Sequence, residues 1–501
     1  MTKKPEHKQE KAGHKHTQDQ KPKSTEGLTV KKDENFSEWY TQILEKAEIV
    51  DLRLGVKGFI VIRPLGALAI ENIYKLYETE LQRKGHKLTI MPTVIPESNL
   101  NKEASHIKGF TPEVFWLQTE KGDEKLALRP TSETVYTPMF ALWVRSHRDL
   151  PMKLYQKGSV FRYDTKATRP LIRGREFYWI ECHDAFATKS EAEAQVQDDI
   201  QTTERIMHQS LGIPFLPMKR PTWDKFAGAE YTIGSDVLMP DGKLIQQPST
   251  HMMGQKFSKA FDAKFKNENG EEDYLWTTAY GPAMSRILAS VISTHGDDKG
   301  LILPFSISPT QIMIVPIFTK ENKSQILKYC ESIQNELKCY RVEIDSRETY
   351  SPGWKFHESE LKGVPFRIEI GNNELQNKEI TLFTRDTGKK EALALKNLSS
   401  FGKRGIEFDE RLKSKAENFM KDKIADCKSK EDLAKAMQNG KIARVNFCSL
   451  ESPGIKCAEE IEKEYGASVR GNLANKKEIP KGKCVICKRP AESVAYIGKS
   501  Y

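Results

Sequence analysis

From Gly158 to His183 the chain reads GSVFRYDTKATRPLIRGREFYWIECH, two strand-like runs joined by a basic loop that contains a proline. The second run alternates between two sets of side chains, and the set that carries polar chemistry is Phe177, Trp179, Glu181 and His183. Because neighbouring side chains of a strand point to opposite faces, this set shares one face and leaves the other to pack against apolar residues. The pattern predicts a β-hairpin that places an indole, a carboxylate and an imidazole beside a cationic loop. The alternative is an ordinary surface hairpin with solvated arginines.

Composition bounds the class of protein. The chain has 501 residues, enough for about three domains of ordinary size. Hydrophobic residues make up 38% of it, which permits real cores, while a mean hydropathy of −0.60 without a long apolar run argues against a membrane span. A formal charge of +10 is compatible with a polyanionic partner. Eight cysteines are too sparse for a secreted disulfide scaffold, so a reduced, cytoplasmic compartment is expected.

The N-terminal residues differ in texture from the rest. Residues 1–33 are rich in Lys, His and Gln without apolar periodicity, which predicts a disordered basic tail. Apolar residues at helical spacing begin at Phe36, and a second helical pattern ends at Gly85, where a glycine cap is expected. The strand-like run KGHKLTIMPTV, which contains Pro92, follows. These patterns alone fit many α/β domains.

The segment LRPTSE places a hydroxyl and a carboxylate two residues apart, at Thr131 and Glu133. On an extended backbone the two side chains point the same way. Together they suit an ammonium group with two N–H donors, which needs an anion and a second acceptor. The alternative is a helix N-cap at Thr131 or Ser132.

A second cation outside the hairpin has an unusual position. In YGPAMSRILASVISTHGDDKG, apolar residues at helical spacing place Arg286 in the opening turn of a helix. A cation is electrostatically unfavourable at a helix N-terminus unless an anion binds there. A triphosphate would be such an anion.

The second half of the chain contains two further units. From Ser308, β-rich runs alternate with helical stretches, which predicts a mixed sheet covered by helices. The last part holds four cysteines, one pair of them in a C-x-x-C motif: Cys448, Cys457, Cys484 and Cys487. Four thiolates are the ligand set of a closed structural zinc site. Four unrelated reduced thiols are the alternative.

These segments, in this order, resemble the motifs of class II aminoacyl-tRNA synthetases. The hairpin is similar to motif 2, the run containing Pro92 to motif 1, and the helix of Arg286 to motif 3. The LRPTSE loop, the WIECH run and the C-terminal GKSY resemble the prolyl-tRNA synthetases of the archaeal and eukaryotic type. The interval between His183 and Arg286 leaves no room for the editing insertion of the bacterial type.

The resemblance implies an α/β (α+β) fold in three parts. A class II antiparallel-sheet catalytic domain would occupy residues 34–300 and an α/β anticodon-binding domain residues 301–405. A small zinc-type α/β domain would occupy residues 406–501. Motif 1, in the region of Pro92, would form a homodimer interface.

The resemblance also implies roles for individual residues. The proline site would consist of Phe110, Thr131, Glu133, Arg162, Trp179, Glu181, His183 and His251. The ATP site would consist of Arg162, Arg173, Glu176, Gln246, Ser249 and Arg286. Of these, Arg162 and Arg286 would be catalytic. The anticodon would be contacted by Phe356, Glu360 and Arg367, and Phe356 could equally be a core residue.

The implied activity is that of a proline-specific aminoacyl-tRNA ligase. Its substrates would be L-proline, ATP with Mg²⁺, and tRNA(Pro), with a structural Zn²⁺ on the four cysteines and no membrane partner. Two alternatives remain at this stage. One is an inactive synthetase-like protein that binds RNA or regulates, and the other is a threonyl or seryl enzyme of the same class.

Overall fold

The computed structural model describes residues 27–106, 113–164 and 167–501, with the side chains of residues 103–106 left out. The catalytic domain contains seven helices in this part of the chain: α1 (Phe36–Lys46), α2 (Pro64–Arg83), α3 (Glu97–His106), α4 (Glu133–Trp143), α5 (Lys189–Thr203), α6 (Lys256–Ala260) and α7 (Met284–His295). A π-helix (Glu204–Ser210) continues α5, and a 3₁₀ turn (His147–Asp149) precedes the hairpin.

The strands of the catalytic domain build the frame of the molecule. They are β1 (Val50–Asp51), β2 (Val61–Ile62), β3 (Lys87–Leu88), β4 (Val94–Pro96), β5 (Leu126–Leu128), β6 (Met152–Phe161), β7 (Glu176–Phe186), β8 (Leu216–Lys219), β9 (Tyr231–Leu238), β10 (Lys243–Gly254), β11 (Lys264–Lys266), β12 (Glu272–Tyr274) and β13 (Trp276–Gly281). Strands β8-β9-β10-β13-β7-β6 are antiparallel neighbours in one sheet, and β3 joins its edge parallel to β6. The predicted antiparallel sheet is therefore confirmed.

The described part of the predicted tail packs against the folded domain. Leu28 and Val30 pack against the main core, and Lys32 Nζ donates to the carbonyl of Gly296 at 2.6 Å. The predicted boundary at residue 34 therefore lies too late. Two isolated apolar residues produce no periodic pattern, so only the tertiary contacts reveal that they belong to the domain.

The second domain is a five-stranded sheet covered by helices. Its elements are β14 (Ile312–Pro316), α8 (Lys323–Glu336), β15 (Val342–Ile344), α9 (Pro352–Leu361), β16 (Phe366–Ile370), α10 (Asn372–Asn377), β17 (Glu379–Thr384), β18 (Lys389–Ala394) and a 3₁₀ turn (Leu395–Ser400). The strand order is β15-β14-β16-β17-β18, parallel in the first three strands and antiparallel in the rest. The predicted mixed sheet is confirmed.

The C-terminal domain shares a sheet with the catalytic domain. Its elements are α11 (Phe401–Asp422), β19 (Ile424–Cys427), α12 (Lys430–Gln438), β20 (Ile442–Phe447), a 3₁₀ turn (Ser452–Gly454), α13 (Ile455–Tyr465), β21 (Ser468–Leu473) and β22 (Ser493–Ser500). Strand β21 pairs with β8, and β22 pairs with the start of β10, so one 11-stranded sheet runs through both domains. None of the described helices has the length and apolar character needed to cross a membrane.

Candidate active site

The hairpin forms as the sequence predicts. Strands β6 and β7 pair with Gly158 opposite Trp179, and β7 continues the sheet through β13. Its polar face, Phe177, Trp179, Glu181 and His183, lines a cavity of about 130 Å³. On the opposite face Ile180 and Cys182 are fully buried in the main core. The surface-hairpin alternative is therefore excluded.

The cavity gathers most of the predicted substrate residues: Thr131, Glu133, Arg162, Trp179, Glu181, His183, Gln246, Ser249, His251 and Arg286. Two predicted residues lie outside it. Arg173 and Glu176 both line an adjoining cavity of about 310 Å³, which shares Phe177 with the first. Phe110, predicted to cover the proline site, lies outside the described residues.

Glu181 is held by four hydrogen bonds at the floor of the cavity. It accepts from Thr131 Oγ1 (2.8 Å), Ser132 N (2.9 Å), Ser132 Oγ (2.6 Å) and Gln156 Nε2 (3.0 Å). Ser132 is the N-cap residue of α4, but its side chain makes no capping bond to the helix. Its hydroxyl donates to Glu181 instead. Ser132 is therefore the N-cap by position, as the alternative expected, but its side chain contributes to the cavity rather than to the helix.

Glu133 competes with Glu181 for the hydroxyl of Thr131. Its Oε2 lies 2.6 Å from Thr131 Oγ1, which also contacts Glu181. A hydroxyl has one hydrogen and cannot donate to two carboxylates. Burial raises the pKa of Glu133 and the charge of Glu181 adds to the rise, against the opposing charge of His183.

His183 provides the compensating charge. Its Nε2 lies 3.5 Å from Glu181 Oε1, and its ring stacks on Tyr136 with centroids 4.5 Å apart. Burial opposes the charge, but the carboxylates of Glu181 and Glu133 raise the pKa of His183. Burial likewise opposes ionisation of Glu181, but His183 and the hydroxyl donors lower its pKa to about 2.

Arg162 stands at the edge of this carboxylate group without an ion pair to any described residue. Its Nε donates to the carbonyl of Pro130 at 3.2 Å, and its guanidinium lies 5.2 Å from the ring centroid of Phe177. Burial lowers the pKa of Arg162. A buried guanidinium with free donors is suited to an anionic ligand.

Arg286 lies in the opening turn of α7, as predicted. Its Nε donates to the carbonyl of Ile172 at 3.0 Å and its Nη1 to the carbonyl of Gln246 at 3.3 Å. Burial and the neighbouring cations Arg162 and Arg173 lower its pKa to about 10. Arg162 and Arg286 line the cavity without an ion pair among the described residues, which favours a polyanion there.

The segment on β10 contributes an uncharged histidine. His251 Nδ1 lies 2.9 Å from Thr232 Oγ1 and its Nε2 lies 3.0 Å from Ser249 Oγ. Burial and the charge of Arg162 lower the pKa of His251 to about 3. The imidazole is therefore neutral at pH 7 and acts as a fixed hydrogen-bonding wall.

Sequence reasoning missed a buried cluster behind this segment. Arg220 and Arg470 both pair with Asp236, and Arg220 also bonds Gln246. Gln156, which bonds Glu181, was missed as well. No local signal marks these residues, because they come from separate strands and Arg470 belongs to another domain.

The four predicted cysteines meet in the C-terminal domain. Their sulfur atoms all lie within 4.8 Å of one another, and Cys448 and Cys457 are 3.6 Å apart. With Zn–S bonds of about 2.3 Å, a tetrahedral site has sulfurs about 3.8 Å apart. All eight cysteines are free thiols, so the set fits a zinc ion.

The predicted anticodon residues also come together. Arg367 Nη1 donates to Glu360 Oε1 at 3.1 Å, and its guanidinium lies 4.3 Å from the ring centroid of Phe356. Phe356 is half-buried and lies outside the core cluster of this domain. The structure thus brings a ring, a carboxylate and a guanidinium to one place on α9 and β16.

Family models match three parts of the chain. Residues 115–295 match the tRNA synthetase class II core domain (G, H, P, S and T), residues 311–404 the anticodon binding domain, and residues 430–501 the prolyl-tRNA synthetase C-terminal domain. Together with the antiparallel sheet and the cation-lined cavity, the first two matches define a class II aminoacyl-tRNA synthetase.

Comparison with similar proteins identifies the family within this class. The proline–tRNA ligase of Thermofilum pendens is 46% identical over 95% of this chain and 100% of its own, and that of Methanococcoides burtonii is 43% identical over 94% and 98%. The Giardia lamblia prolyl-tRNA synthetase, solved with prolyl-adenylate, is 36% identical with a TM-score of 0.89 over 95% of this chain and 100% of that one. The chain belongs to the proline–tRNA ligase family and is an aminoacyl-tRNA ligase.

Proposed function

We propose that this chain activates L-proline with ATP at the hairpin cavity and transfers it to the 3′ end of tRNA(Pro). The observation that supports this best is the convergence of Thr131, Glu133, Arg162 and Arg286 on one cavity. An inactive RNA-binding relative would have no need of all four, and the family match includes active ligases. The test is ATP-dependent transfer of labelled proline to tRNA by the purified chain, with alanine, threonine and serine as controls.

The amino acid and the nucleotide would occupy opposite ends of the cavity. The ammonium of proline would bind between Thr131 and Glu133, while its ring would lie against Trp179 and His183. Arg162 would hold the α-phosphate, and Arg286 the rest of the triphosphate. In the adjoining cavity, Arg173 would bind the phosphates. Glu176 would orient the adenine, directly or through its bound water.

The chemistry follows from the charges. The carboxylate of proline is already ionised, so its attack on the α-phosphorus needs no strong general base. It needs in-line positioning and stabilisation of charge that develops on the phosphates, which fixed guanidinium groups supply. ATP enters as its Mg²⁺ complex, in which the phosphates hold the ion. Pyrophosphate leaves. A terminal ribose hydroxyl of the tRNA then attacks the carbonyl carbon of the mixed anhydride, which breaks its bond to the phosphate oxygen and releases AMP and the proton of the hydroxyl.

The raised pKa of Glu133 predicts a pH-dependent KM for proline. Glu133 takes up its proton at a higher pH than an ordinary carboxyl group, and the protonated form cannot pair with an ammonium. We therefore expect the KM for proline to rise as the pH falls through the pKa of Glu133, while the KM for ATP changes less. Steady-state exchange kinetics from pH 5 to 8 measure this. Glu133→Gln should have a high and nearly flat KM, and a wild-type profile as flat as that of the variant would contradict the assignment.

The anticodon would be read by Phe356, Glu360 and Arg367, because unpaired bases are recognised by stacking and by hydrogen bonds to their edges. Glu360→Ala should lower kcat/KM for tRNA by about 10- to 100-fold, the range expected for one base contact. Proline-dependent pyrophosphate exchange, which needs no tRNA, should stay unchanged. The control is Glu331→Ala, an exposed carboxylate on α8. Equal aminoacylation by both variants would remove Glu360 from the anticodon site.

Cys448, Cys457, Cys484 and Cys487 would hold one structural Zn²⁺, which would cross-link β20, α13 and the loop before β22. Purified protein should contain one zinc per chain by elemental analysis. The double substitution Cys484→Ser and Cys487→Ser should release the metal and lower the melting temperature. The control is Cys339→Ser, since Cys339 is exposed and distant in sequence. Full thermal stability of the metal-free chain would leave four clustered thiols without a structural ion.

The edge of the large sheet would form the homodimer interface. Strand β3 ends the sheet, Pro92 is exposed beside it, and Leu88 and Ile90 are exposed by 48% and 93%. Apolar side chains on an unpaired sheet edge favour a partner. Sedimentation of the wild type and of Ile90→Asp tests this, and a monomeric wild type would contradict it. The free thiols fit a cytoplasmic location.

A further inference from the structure

One buried carboxylate joins the C-terminal domain to the catalytic domain. Asp236, on β9, binds Arg220 at 2.6 and 2.8 Å and Arg470 at 2.8 and 3.0 Å. The side chains of Asp236 and Arg220 are 0% and 1% exposed, and that of Arg470 is 10% exposed. Bidentate pairs of this kind fix the planes of the guanidinium groups as well as their positions.

The backbone of both domains is shaped to allow this contact. Arg470 lies in the β-bulge of β21 between Val469 and Gly471, and bulges re-aim side chains. A Cβ on Gly471 would lie 1.9 Å from the carbonyl of Lys219, so only glycine permits β21 to approach β8 this closely. Gly234 likewise leaves room for the guanidinium of Arg220, 2.4 Å from the position of its missing Cβ.

The cluster orients a side chain of the substrate cavity. Arg220 Nη2 donates to Gln246 Oε1 at 2.8 Å. A guanidinium has donors only, so the amide of Gln246 must turn its oxygen toward Arg220. Its NH₂ group then faces the other way, and Gln246 lines both the 130 Å³ cavity and a larger cavity of about 640 Å³ between the domains.

The cluster also leaves a positive charge behind the cavity wall. Two guanidinium groups share one carboxylate, and Arg220 Nε has no hydrogen-bond partner among the described residues. Asp224 is 4.0 Å from that nitrogen and 48% exposed, so it neutralises little of the charge. An anion in the cavity would accept a hydrogen bond from the amide of Gln246. The positive charge of the arginine cluster behind Gln246 would attract the same anion.

We propose that Arg470, Asp236 and Arg220 are positioning residues for the nucleotide, and that the C-terminal domain is in this way part of the catalytic site. The inference rests on the proposed role of Gln246 in ATP binding. It means that loosening the zinc-type domain disturbs ATP binding through Arg470, rather than stability alone.

A double-mutant cycle between the two domains tests the proposal in the full-length chain. Arg470→Met should lower kcat/KM for ATP in pyrophosphate exchange, on the order of 10- to 100-fold, as expected when a positioned group moves. Arg470→Lys should recover part of the loss. The double variant Gln246→Ala/Arg470→Met should have nearly the same kcat/KM for ATP as Gln246→Ala alone, because Arg470 acts through Gln246. The control is Arg444→Met, an arginine of the same domain that pairs with Asp426 and Glu478 instead.

The outcomes separate this inference from the proposed function. Additive losses in the cycle, or unchanged ATP kinetics in Arg470→Met, would overturn the positioning role while leaving the ligase activity intact. An unchanged KM for ATP in Gln246→Ala would instead overturn the role of Gln246 itself. If Arg470→Met does not fold, the ATP kinetics of Gln246→Glu provide the test. Its carboxylate keeps the bond to Arg220 but offers no donor to the nucleotide, so ATP kinetics like those of the wild type would contradict the proposal.

Discussion

Arg162→Ala is expected to lower proline-dependent pyrophosphate exchange by 100-fold or more. Arg162 is buried, has no ion pair in the described chain, and lies beside the carboxylates of the proline site. Removing a preorganised donor from the developing charge costs about 3–4 kcal/mol of transition-state stabilisation. Because the side chain makes only one hydrogen bond to the described residues, to the carbonyl of Pro130, the variant should remain folded.

The matched control for this prediction is Arg205→Ala. Arg205 lies on the π-helix with 61% of its side chain exposed and an ion pair to Glu80. It should retain wild-type exchange, since surface ion pairs contribute little. Circular dichroism and urea midpoints verify folding of both variants. Near-normal exchange by Arg162→Ala would refute the assignment of the α-phosphate site.

Asp236→Ala is expected to destabilise the protein by about 3–5 kcal/mol, because it leaves two buried guanidinium groups without their shared partner. Burial alone would raise the pKa of Asp236, but Arg220 and Arg470 lower it to about 2. A lowered pKa contributes stability above the ordinary pKa of a carboxyl group, and that stability is lost as the pH falls toward 2. Urea unfolding at pH 7 measures the difference in free energy.

Asp426→Ala is the control for the second prediction. Asp426 also pairs with an arginine, Arg444, at 2.7 Å, but it is 67% exposed. Its removal should cost less than about 1 kcal/mol. Equal urea midpoints for the two variants would show that the buried cluster does not hold the domains together.

The sequence predicts the site best where the signal is local. Period-2 alternation placed Trp179, Glu181 and His183 on one face, and helical periodicity placed Arg286 in the first turn of α7. Each of these predictions depends on residues within one strand or one helix, where backbone geometry fixes direction. The residue types of a zinc site predict that Cys448 and Cys457 converge with the C-x-x-C pair, and the four sulfur atoms do lie within 4.8 Å of one another.

The sequence does not predict contacts between distant strands. Nothing near Arg470 indicates that it shares a carboxylate with Arg220, and the orientation of the Gln246 amide follows from that contact alone. No sequence pattern predicts the pairing of β21 with β8, because an edge strand has the same pattern of residues whether or not it pairs with a strand of another domain. The raised pKa of Glu133 depends on burial and on the nearby Glu181, which only the folded chain brings together.

The specificity for proline is tested most directly by pyrophosphate exchange with ATP, measured for each of the twenty amino acids on the purified chain. We expect proline to support the fastest exchange by a wide margin, and Arg162→Ala to abolish it. Exchange that is fastest with threonine or serine would contradict the proline site built from Thr131, Glu133 and Glu181. No exchange with any amino acid, from a folded chain, would contradict the catalytic account as a whole.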